Sequence, residues 1–293
     1  MVLTQNESEE WMMKKTFCAL LMLVMLFPSF MGCAQETQRY DIEELSVTLD
    51  GQRIYGLLYL PRERQEPLPA VIFSHGFGGS HDVGDPYARA LAGMGYTVYC
   101  FDFRGGSHGS RSDGSVLDMS IMTEVDDLAA VMETIRSLPT VNADEVFLMG
   151  TSQGGLVSAI TAARHPQEVR GLILLYPAFV LVDMAQQRYK NANDIPETGF
   201  FLWMTVGRAY FEPLLDYDVY ADVAAYMEDV LILHGDADGI VPLSYSERAL
   251  TAYPSAQLMV IQGAGHGFYG EDEALALQAI AGYLDARLHK TDE

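Results

Sequence analysis

The chain has 293 residues, of which 49% are hydrophobic and 20% charged, and this composition predicts a globular protein with a sizeable core, not a disordered or disulfide-stapled chain. Eighteen basic and 40 acidic residues give a net charge of −22, which argues against nucleic acid as a partner because phosphate backbones would be repelled. Three cysteines are too few for a disulfide framework.

The first predicted element is a signal peptide with an upstream leader over residues 1–33. Two lysines precede an uninterrupted apolar run from Phe17 to Phe27, and small residues follow it. This arrangement is typical of secretory signals, and the run is shorter than the ~20 residues that a membrane-spanning helix needs. The acidic stretch before Met12 is interpreted as a leader from an upstream start codon. We therefore expect an exported protein, either periplasmic, secreted or anchored at a membrane.

The end of this segment allows two interpretations. Phe30 to Cys33 resembles the lipobox of bacterial lipoproteins, in which the cysteine receives a lipid, although Phe30 stands where leucine is usual. A lipid at Cys33 would attach the protein to a membrane. In the alternative, cleavage after Ala34 removes Cys33 and releases a soluble protein.

Residues 40–293 read as one α/β domain. An Asp50-Gly51 turn between two alternating apolar runs predicts an antiparallel hairpin. Short strand-like apolar runs then alternate with segments of helical periodicity. The predicted helices run through Met122 and Ile135, from about Gln153 to Arg164, and from about Glu271 to Leu288. Repeated strand-helix-strand units predict a mostly parallel central sheet with helices on both faces.

One stretch, residues 178–228, interrupts this alternation. It is far longer than the 2–6 residues usual for such a connection, and it is rich in tyrosine and phenylalanine and contains Trp203. We expect an inserted lid.

A candidate nucleophile lies at residues 150–154, where GTSQG matches the pattern G-x-S-x-G. A strand-like run precedes the pattern and a helix-like run follows it. Such a sharp turn from strand to helix exposes a serine hydroxyl, and the new helix directs backbone N–H groups at the site. Ser152 is therefore the expected nucleophile.

A serine nucleophile needs a general base, and the base needs a carboxylate that orients it. Asp238 and His266 each follow an apolar strand-like run, where catalytic groups collect in α/β sheets, and they follow Ser152 in the required order. We expect His266 as base and Asp238 as acid. Asp236 is the rival acid, and we expect it to hold the loop.

The third requirement is stabilisation of the oxyanion, and the glycine-rich residues 74–79 follow the first predicted parallel strand. We assign this role to the backbone amides of Phe77 and Gln153. His75 and His81 could suggest zinc, but no further ligand stands at metal spacing, so we expect no metal ion. The mechanism requires no cofactor.

These motifs together resemble the α/β-hydrolase family, and within it most closely the feruloyl and cinnamoyl esterases. HGFGG, GTSQGG, HGDADGIVP and GAGHGF occur in the family's order over about 250 residues. The resemblance implies that an acidic residue and a tyrosine of the lid meet ring hydroxyls of the substrate. Asp183 and Tyr210 are the nearest matches. The loop GGSHGSRSDG is longer than the family's usual one, and the export signal is a second departure.

The favoured function is a serine carboxylesterase that acts on small-molecule esters, including feruloyl- or cinnamoyl-type esters. One alternative is a serine aminopeptidase with the same triad, in which Asp183, Asp194 or Glu197 would bind the substrate's amine. Another alternative is a catalytically inactive surface binding protein.

Overall fold

The structure, a computed structural model, describes residues 39–63 and 67–289. The predicted signal peptide, Cys33 and the alternative cleavage site after Ala34 lie outside these residues. Within the described part of the chain, no helix combines the length and the apolar character needed to cross a membrane. The strands, numbered in chain order, are β1 (Tyr40–Leu49), β2 (Gln52–Pro61), β3 (Leu68–Ser74), β4 (Thr97–Phe101), β5 (Val141–Thr151), β6 (Gly171–Leu175), β7 (Thr198–Phe201), β8 (Met204–Gly207), β9 (Val230–Gly235) and β10 (Ala256–Ile261).

Eight of these strands form one sheet in the order β1-β2-β4-β3-β5-β6-β9-β10. β1 and β2 pair antiparallel, and β2 is antiparallel to β4. The six strands β4, β3, β5, β6, β9 and β10 run parallel to one another. Asp50 and Gly51 make the tight turn of the hairpin with φ of 53° and 77°, values that suit a primed turn. The predicted mostly parallel sheet with an N-terminal antiparallel hairpin is confirmed.

Helices cover both faces of the sheet. They are α1 (Asp85–Gly93), α2 (Ile121–Arg136), α3 (Ser152–Arg164), α4 (Val180–Arg188), α5 (Val219–Val223), α6 (Ser244–Ala252) and α7 (Glu271–Leu288). Alternate strand residues point to opposite faces, so Ile72 joins the core under α2 and α3 whereas Phe73 joins the core under α1 and α7. This burial on both faces explains the continuous apolar runs in the sequence.

The stretch between β6 and β9 is an ordered insertion with its own elements. It contains α4, the two-stranded antiparallel sheet of β7 and β8, and α5. Its aromatic side chains Tyr210 and Phe211 are buried in the larger core. Part of the aromatic composition of residues 178–228 therefore serves packing, and the role of this stretch as a lid stays a prediction.

The carboxyl ends of the parallel strands bring four loops to one edge of the sheet. They follow β3 at Ser74, β5 at Thr151, β9 at Gly235 and β10 at Ile261. In open α/β sheets this edge is where ligands bind, and all predicted catalytic and oxyanion residues lie on or next to these loops.

Candidate active site

The turn between β5 and α3 holds Ser152 in a strained conformation. Its φ is +51°, in the left-handed region that non-glycine residues rarely adopt. A Cβ atom at Gly150 would overlap the backbone of Gly154, and one at Gly154 would overlap the carbonyl oxygen of Ser74. The glycines on both sides therefore allow α3 to approach the sheet closely while Ser152 stands at the turn.

The structure brings Ser152, His266 and Asp238 into one hydrogen-bonded chain. His266 Nε2 lies 2.9 Å from Ser152 Oγ, and His266 Nδ1 lies 2.7 Å from Asp238 Oδ2. The His266 side chain is 12% exposed and the Asp238 side chain is fully buried. This is the geometry in which a carboxylate orients an imidazole so that its other nitrogen can accept the proton of a serine hydroxyl.

The loop after β9 fixes the Asp238 carboxylate. Asp238 Oδ1 accepts hydrogen bonds from the amides of Ile240 and Val241, both at 2.8 Å, which leaves Oδ2 for His266. Asp236 is exposed, and its Oδ1 accepts from the Gly263 amide at 2.6 Å. Asp236 thus joins the loops after β9 and β10, the position we expected for it.

The loop after β3 passes directly over the candidate nucleophile. A Cβ atom at Gly76 would lie 3.1 Å from Ser152 Cβ, so the residue directly before Phe77 packs against the serine. The Gln153 amide belongs to the first turn of α3, where N–H groups lack intrahelical acceptors. Phe77 thus directly follows the residue that packs on Ser152, Gln153 directly follows Ser152 itself, and their role as oxyanion donors stays a prediction.

His75 organises this loop as an uncharged ring. It is buried, its Nδ1 donates to the Gly76 carbonyl oxygen at 2.8 Å, and its Nε2 accepts from the Phe103 amide at 3.2 Å. Burial lowers the pKa of His75 because the charged form would lose its hydration. His81 lies against Asp102, with Nδ1 2.7 Å from Oδ1.

The side chain of Gln153 joins two buried polar groups, Glu124 and Tyr210. Glu124 is not among the site residues predicted from the sequence. Gln153 Nε2 donates to Glu124 Oε2 at 2.8 Å, and the Tyr210 hydroxyl donates to Gln153 Oε1 at 2.7 Å. A signal for Glu124 does exist: it lies three residues after Ile121 and four before Leu128, so a carboxyl group occupies the apolar face of α2.

The two residues expected to contact substrate occupy different surroundings. Tyr210 is fully buried with its hydroxyl bound to Gln153, so it has no open surface in this structure. Asp183 is half-buried, accepts a hydrogen bond from the Tyr245 hydroxyl at 2.9 Å, and lines a cavity of about 380 Å³ with Arg248. The triad residues do not line that cavity. Contact of either residue with substrate stays a prediction.

The β7–β8 hairpin of the insertion lies against the oxyanion loop. The ring of Phe77 is 5.4 Å from that of Trp203 and 5.9 Å from that of Phe201. Trp203 is 53% exposed, so it presents an aromatic surface next to the loop that carries Phe77. Apolar groups therefore border the candidate site.

Two family models match the chain in succession. Residues 65–206 match a model described as serine aminopeptidase, S33, and residues 217–292 match one described as TAP-like protein. Together the two matches cover both the region of the candidate nucleophile and the region of the candidate acid and base.

The chain is also similar to individual proteins. An uncharacterized protein of Mycobacterium tuberculosis is 28% identical over 75% of this chain and 70% of its own length. The human monoglyceride lipase is 30% identical over 45% of this chain and 41% of its own length. The solved structure of Est1E from Butyrivibrio proteoclasticus with bound ferulic acid superimposes with a TM-score of 0.77 at 24% identity, and the match covers 84% of this chain and all of that one. At this identity the likeness to Est1E shows a shared fold.

Proposed function

Because this chain belongs to the α/β-hydrolase family and is a hydrolase, we propose that it is a serine carboxylesterase that forms an acyl-enzyme on Ser152. The observation that carries the proposal is the hydrogen-bonded chain from Ser152 Oγ through His266 to Asp238, with distances of 2.9 and 2.7 Å. No metal ion or cofactor takes part in the proposed reaction.

In the first half-reaction, Ser152 Oγ attacks the ester carbonyl carbon while His266 Nε2 takes the serine proton. The carbonyl π electrons move to oxygen and give a tetrahedral intermediate. His266 then donates its proton to the leaving alcohol as the bond between carbon and the alcohol oxygen breaks. Asp238 keeps His266 in the required tautomer and stabilises the ring while it carries two protons.

The amides of Phe77 and Gln153 would donate to the oxyanion of that intermediate. A well-placed donor of this kind contributes about 3 kcal/mol in the transition state, because it meets charge that is absent from the ground state. In the second half-reaction His266 removes a proton from water as the water oxygen attacks the acyl carbon. His266 then returns that proton to Ser152 Oγ as the bond between the acyl carbon and Oγ breaks, which releases the acid and regenerates the free serine.

We further propose that the acyl group is aromatic, of the feruloyl or cinnamoyl type. The exposed ring of Trp203 and the buried ring of Phe77 border the site. Est1E, which shares the fold, has been solved with ferulic acid bound. A flat aromatic acid would bury its ring on such a surface and keep its carbonyl at Ser152.

A panel of substrates tests these proposals on the domain from about Gln35. Methyl ferulate, short-chain nitrophenyl esters and aminoacyl-nitroanilides are compared for wild type and Ser152→Ala. Hydrolysis of methyl ferulate that the variant loses supports the aromatic esterase. If the protein hydrolyses only the short-chain esters, the proposal of an aromatic acyl group is contradicted, whereas the serine esterase mechanism is not. Failure of a fluorophosphonate to label Ser152 would contradict the mechanism and favour an inactive binding protein.

A serine aminopeptidase is the second candidate, because the model matched by residues 65–206 carries that description. An aminopeptidase must bind the free amine of its substrate. Asp194 and Glu197 are exposed on the insertion and Asp183 is half-buried there, so all three are candidates. Preferential hydrolysis of aminoacyl-nitroanilides, lost in Asp183→Asn or in the Asp194→Asn and Glu197→Gln variants, would support this activity.

We also propose that the protein is exported and that a lipid on Cys33 holds it at a membrane. Labelling of cells with a fatty-acid analogue, followed by comparison of wild type with Cys33→Ala, tests the anchor. Label that disappears in the variant supports lipidation, whereas a mature N-terminus at Gln35 supports cleavage after Ala34.

A further inference from the structure

We propose that Glu124 and Tyr210 are positioning residues that hold both oxyanion donors in place, so that the insertion forms part of the oxyanion site through Tyr210. The inference rests on the proposed esterase mechanism. It gives Tyr210 a role different from the substrate contact that the family resemblance implies.

The first supporting observation is that one side chain of the insertion contacts both candidate donor residues. The Tyr210 hydroxyl donates to Gln153 Oε1 at 2.7 Å, and the Tyr210 ring packs edge-to-face on the Phe77 ring at 5.6 Å. The backbone amides of Phe77 and Gln153 must point at the same oxygen atom. A rigid side chain that touches both residues fixes the distance between them.

The second observation is that the Gln153 carboxamide is engaged at both ends. Its Nε2 donates to Glu124 on α2 while its Oε1 accepts from Tyr210. All three side chains are at most 1% exposed, so water cannot replace a lost partner. Removing one partner would leave a buried polar group unsatisfied and favour a shift of Gln153.

The third observation concerns the charge of Glu124. Burial raises its pKa well above the ordinary range, the hydrogen bond from Gln153 acts in the opposite direction, and Asp127 raises it further. A neutral carboxyl group still accepts a hydrogen bond through its carbonyl oxygen. It also adds no negative charge behind a site that must stabilise an oxyanion.

The Tyr210→Phe variant tests the proposal, because it removes the hydroxyl and keeps the ring. Tyr226→Phe is the matched control: Tyr226 is also fully buried, and its hydroxyl donates to the Val169 carbonyl oxygen at 3.0 Å. We measure kcat and KM for one ester and the affinity for a trifluoromethyl ketone, whose adduct oxygen mimics the oxyanion. Thermal unfolding is followed in parallel.

We expect Tyr210→Phe to lower kcat by about ten- to a hundredfold, as misplaced catalytic groups do. The affinity for the trifluoromethyl ketone should fall by a similar factor, while KM changes by less than about twofold. Tyr226→Phe should leave all three quantities near the wild-type values.

Substitutions at Glu124 provide a second test. Glu124→Gln keeps a carbonyl oxygen that can accept from Gln153 Nε2 and should retain most of the kcat. Glu124→Leu removes the acceptor and should lower kcat and inhibitor affinity as Tyr210→Phe does. The double variant with Tyr210→Phe should lose little more than either single change, because both act through Gln153.

Several outcomes would overturn the proposal. A rise in KM with unchanged kcat in Tyr210→Phe would make Tyr210 a substrate contact. Equal losses in Tyr210→Phe and Tyr226→Phe would indicate general destabilisation. Wild-type protein that neither hydrolyses esters nor reacts with a fluorophosphonate would refute the esterase mechanism and this inference with it, whereas active wild type with an unaffected Tyr210→Phe variant refutes the inference alone.

Discussion

Asp238 Oδ2 lies 3.3 Å from His234 Nε2, so the Asp238 carboxylate faces a second imidazole besides that of His266. His234 Nδ1 accepts from the Ser246 hydroxyl at 2.7 Å, and Nε2 donates to the Val241 carbonyl oxygen at 2.9 Å. Burial lowers the pKa of His234 and keeps the ring uncharged. The negative charge of Asp238 is therefore left to stabilise His266 when that ring takes up a proton.

The first prediction separates the two candidate acids. Asp238→Asn should lower kcat on the order of 10³- to 10⁴-fold, because the amide favours the wrong tautomer of His266. Asp236→Asn should leave kcat within about threefold of wild type, because the Asp236 side chain bonds to the Gly263 amide. Steady-state kinetics on one nitrophenyl ester measures both.

Comparison of Asp238→Asn with Asp236→Asn also tests whether a loss of activity comes from a disturbed loop, since both variants exchange a carboxylate for an amide in the same loop. Equal kinetic losses in the two would show that the loop as a whole, and not the Asp238 contact with His266, determines activity.

The second prediction concerns backbone strain at Ser152. Its φ of +51° costs a non-glycine residue about 1–2 kcal/mol. Ser152→Gly should therefore have a higher free energy of unfolding than Ser152→Ala by about 1 kcal/mol. Urea denaturation of the two inactive variants measures the difference.

Ser158, buried inside α3, provides the control for this comparison. There Ser158→Gly should be about 1 kcal/mol less stable than Ser158→Ala, because glycine weakens a helix interior. The same order of stabilities at both positions would argue against strain at Ser152.

The features that the sequence predicted correctly depend on local signals. The turn at Asp50 and Gly51 needs only two adjacent residues that tolerate positive φ. The helix predicted from about Gln153 to Arg164 coincides with α3 within one residue. The triad candidates could be selected because each follows a strand, and parallel strands end at one edge of the sheet. Their chemical roles remain predictions.

Other features depend on contacts between distant segments and left little trace in the sequence. Glu124 and Gln153 are 29 residues apart, and Gln153 and Tyr210 are 57 apart. Whether such side chains meet is decided by how α2, α3 and the insertion pack. The strands β7 and β8 have four residues each, which is too short for a periodic pattern to identify.

The third prediction tests the close approach of α3 to the sheet. Gly154→Ala should lower the free energy of unfolding by about 1–3 kcal/mol or more, because the new Cβ atom would overlap backbone oxygen atoms of Ser74 and His75. Gly282 lies at an exposed position of α7 with open space around it. Gly282→Ala should therefore raise the free energy of unfolding by about 0.5–1 kcal/mol.

Urea denaturation measures both glycine variants, and esterase assays should show a loss in Gly154→Ala alone. The displaced residues Ser74 and His75 carry the loop that places Phe77. Wild-type stability of Gly154→Ala would mean that α3 and β3 are further apart than the structure has them.

The last prediction concerns the buried ring of His75 and acid. The pKa of His75 is lower in the folded state than in the unfolded chain, where it is about 6.5. Below pH 6.5 the unfolded chain therefore binds a proton at His75 that the folded protein does not. Stability from this group is complete above that pH and is lost as the pH falls towards the folded-state pKa. Protonation would also place a hydrogen on Nε2, which faces the donor amide of Phe103.

Comparison of wild type with His75→Asn isolates this effect, because asparagine keeps a short donor but does not titrate. The free energy of unfolding of wild type should fall more steeply between pH 6.5 and 5, by up to about 1.4 kcal/mol per pH unit. His289→Asn, at a side chain that is 77% exposed, should keep the wild-type slope. If the free energy of unfolding falls equally steeply with pH in wild type and in His75→Asn, the His75 ring is not held neutral. The tautomer assigned to His75 would then be wrong.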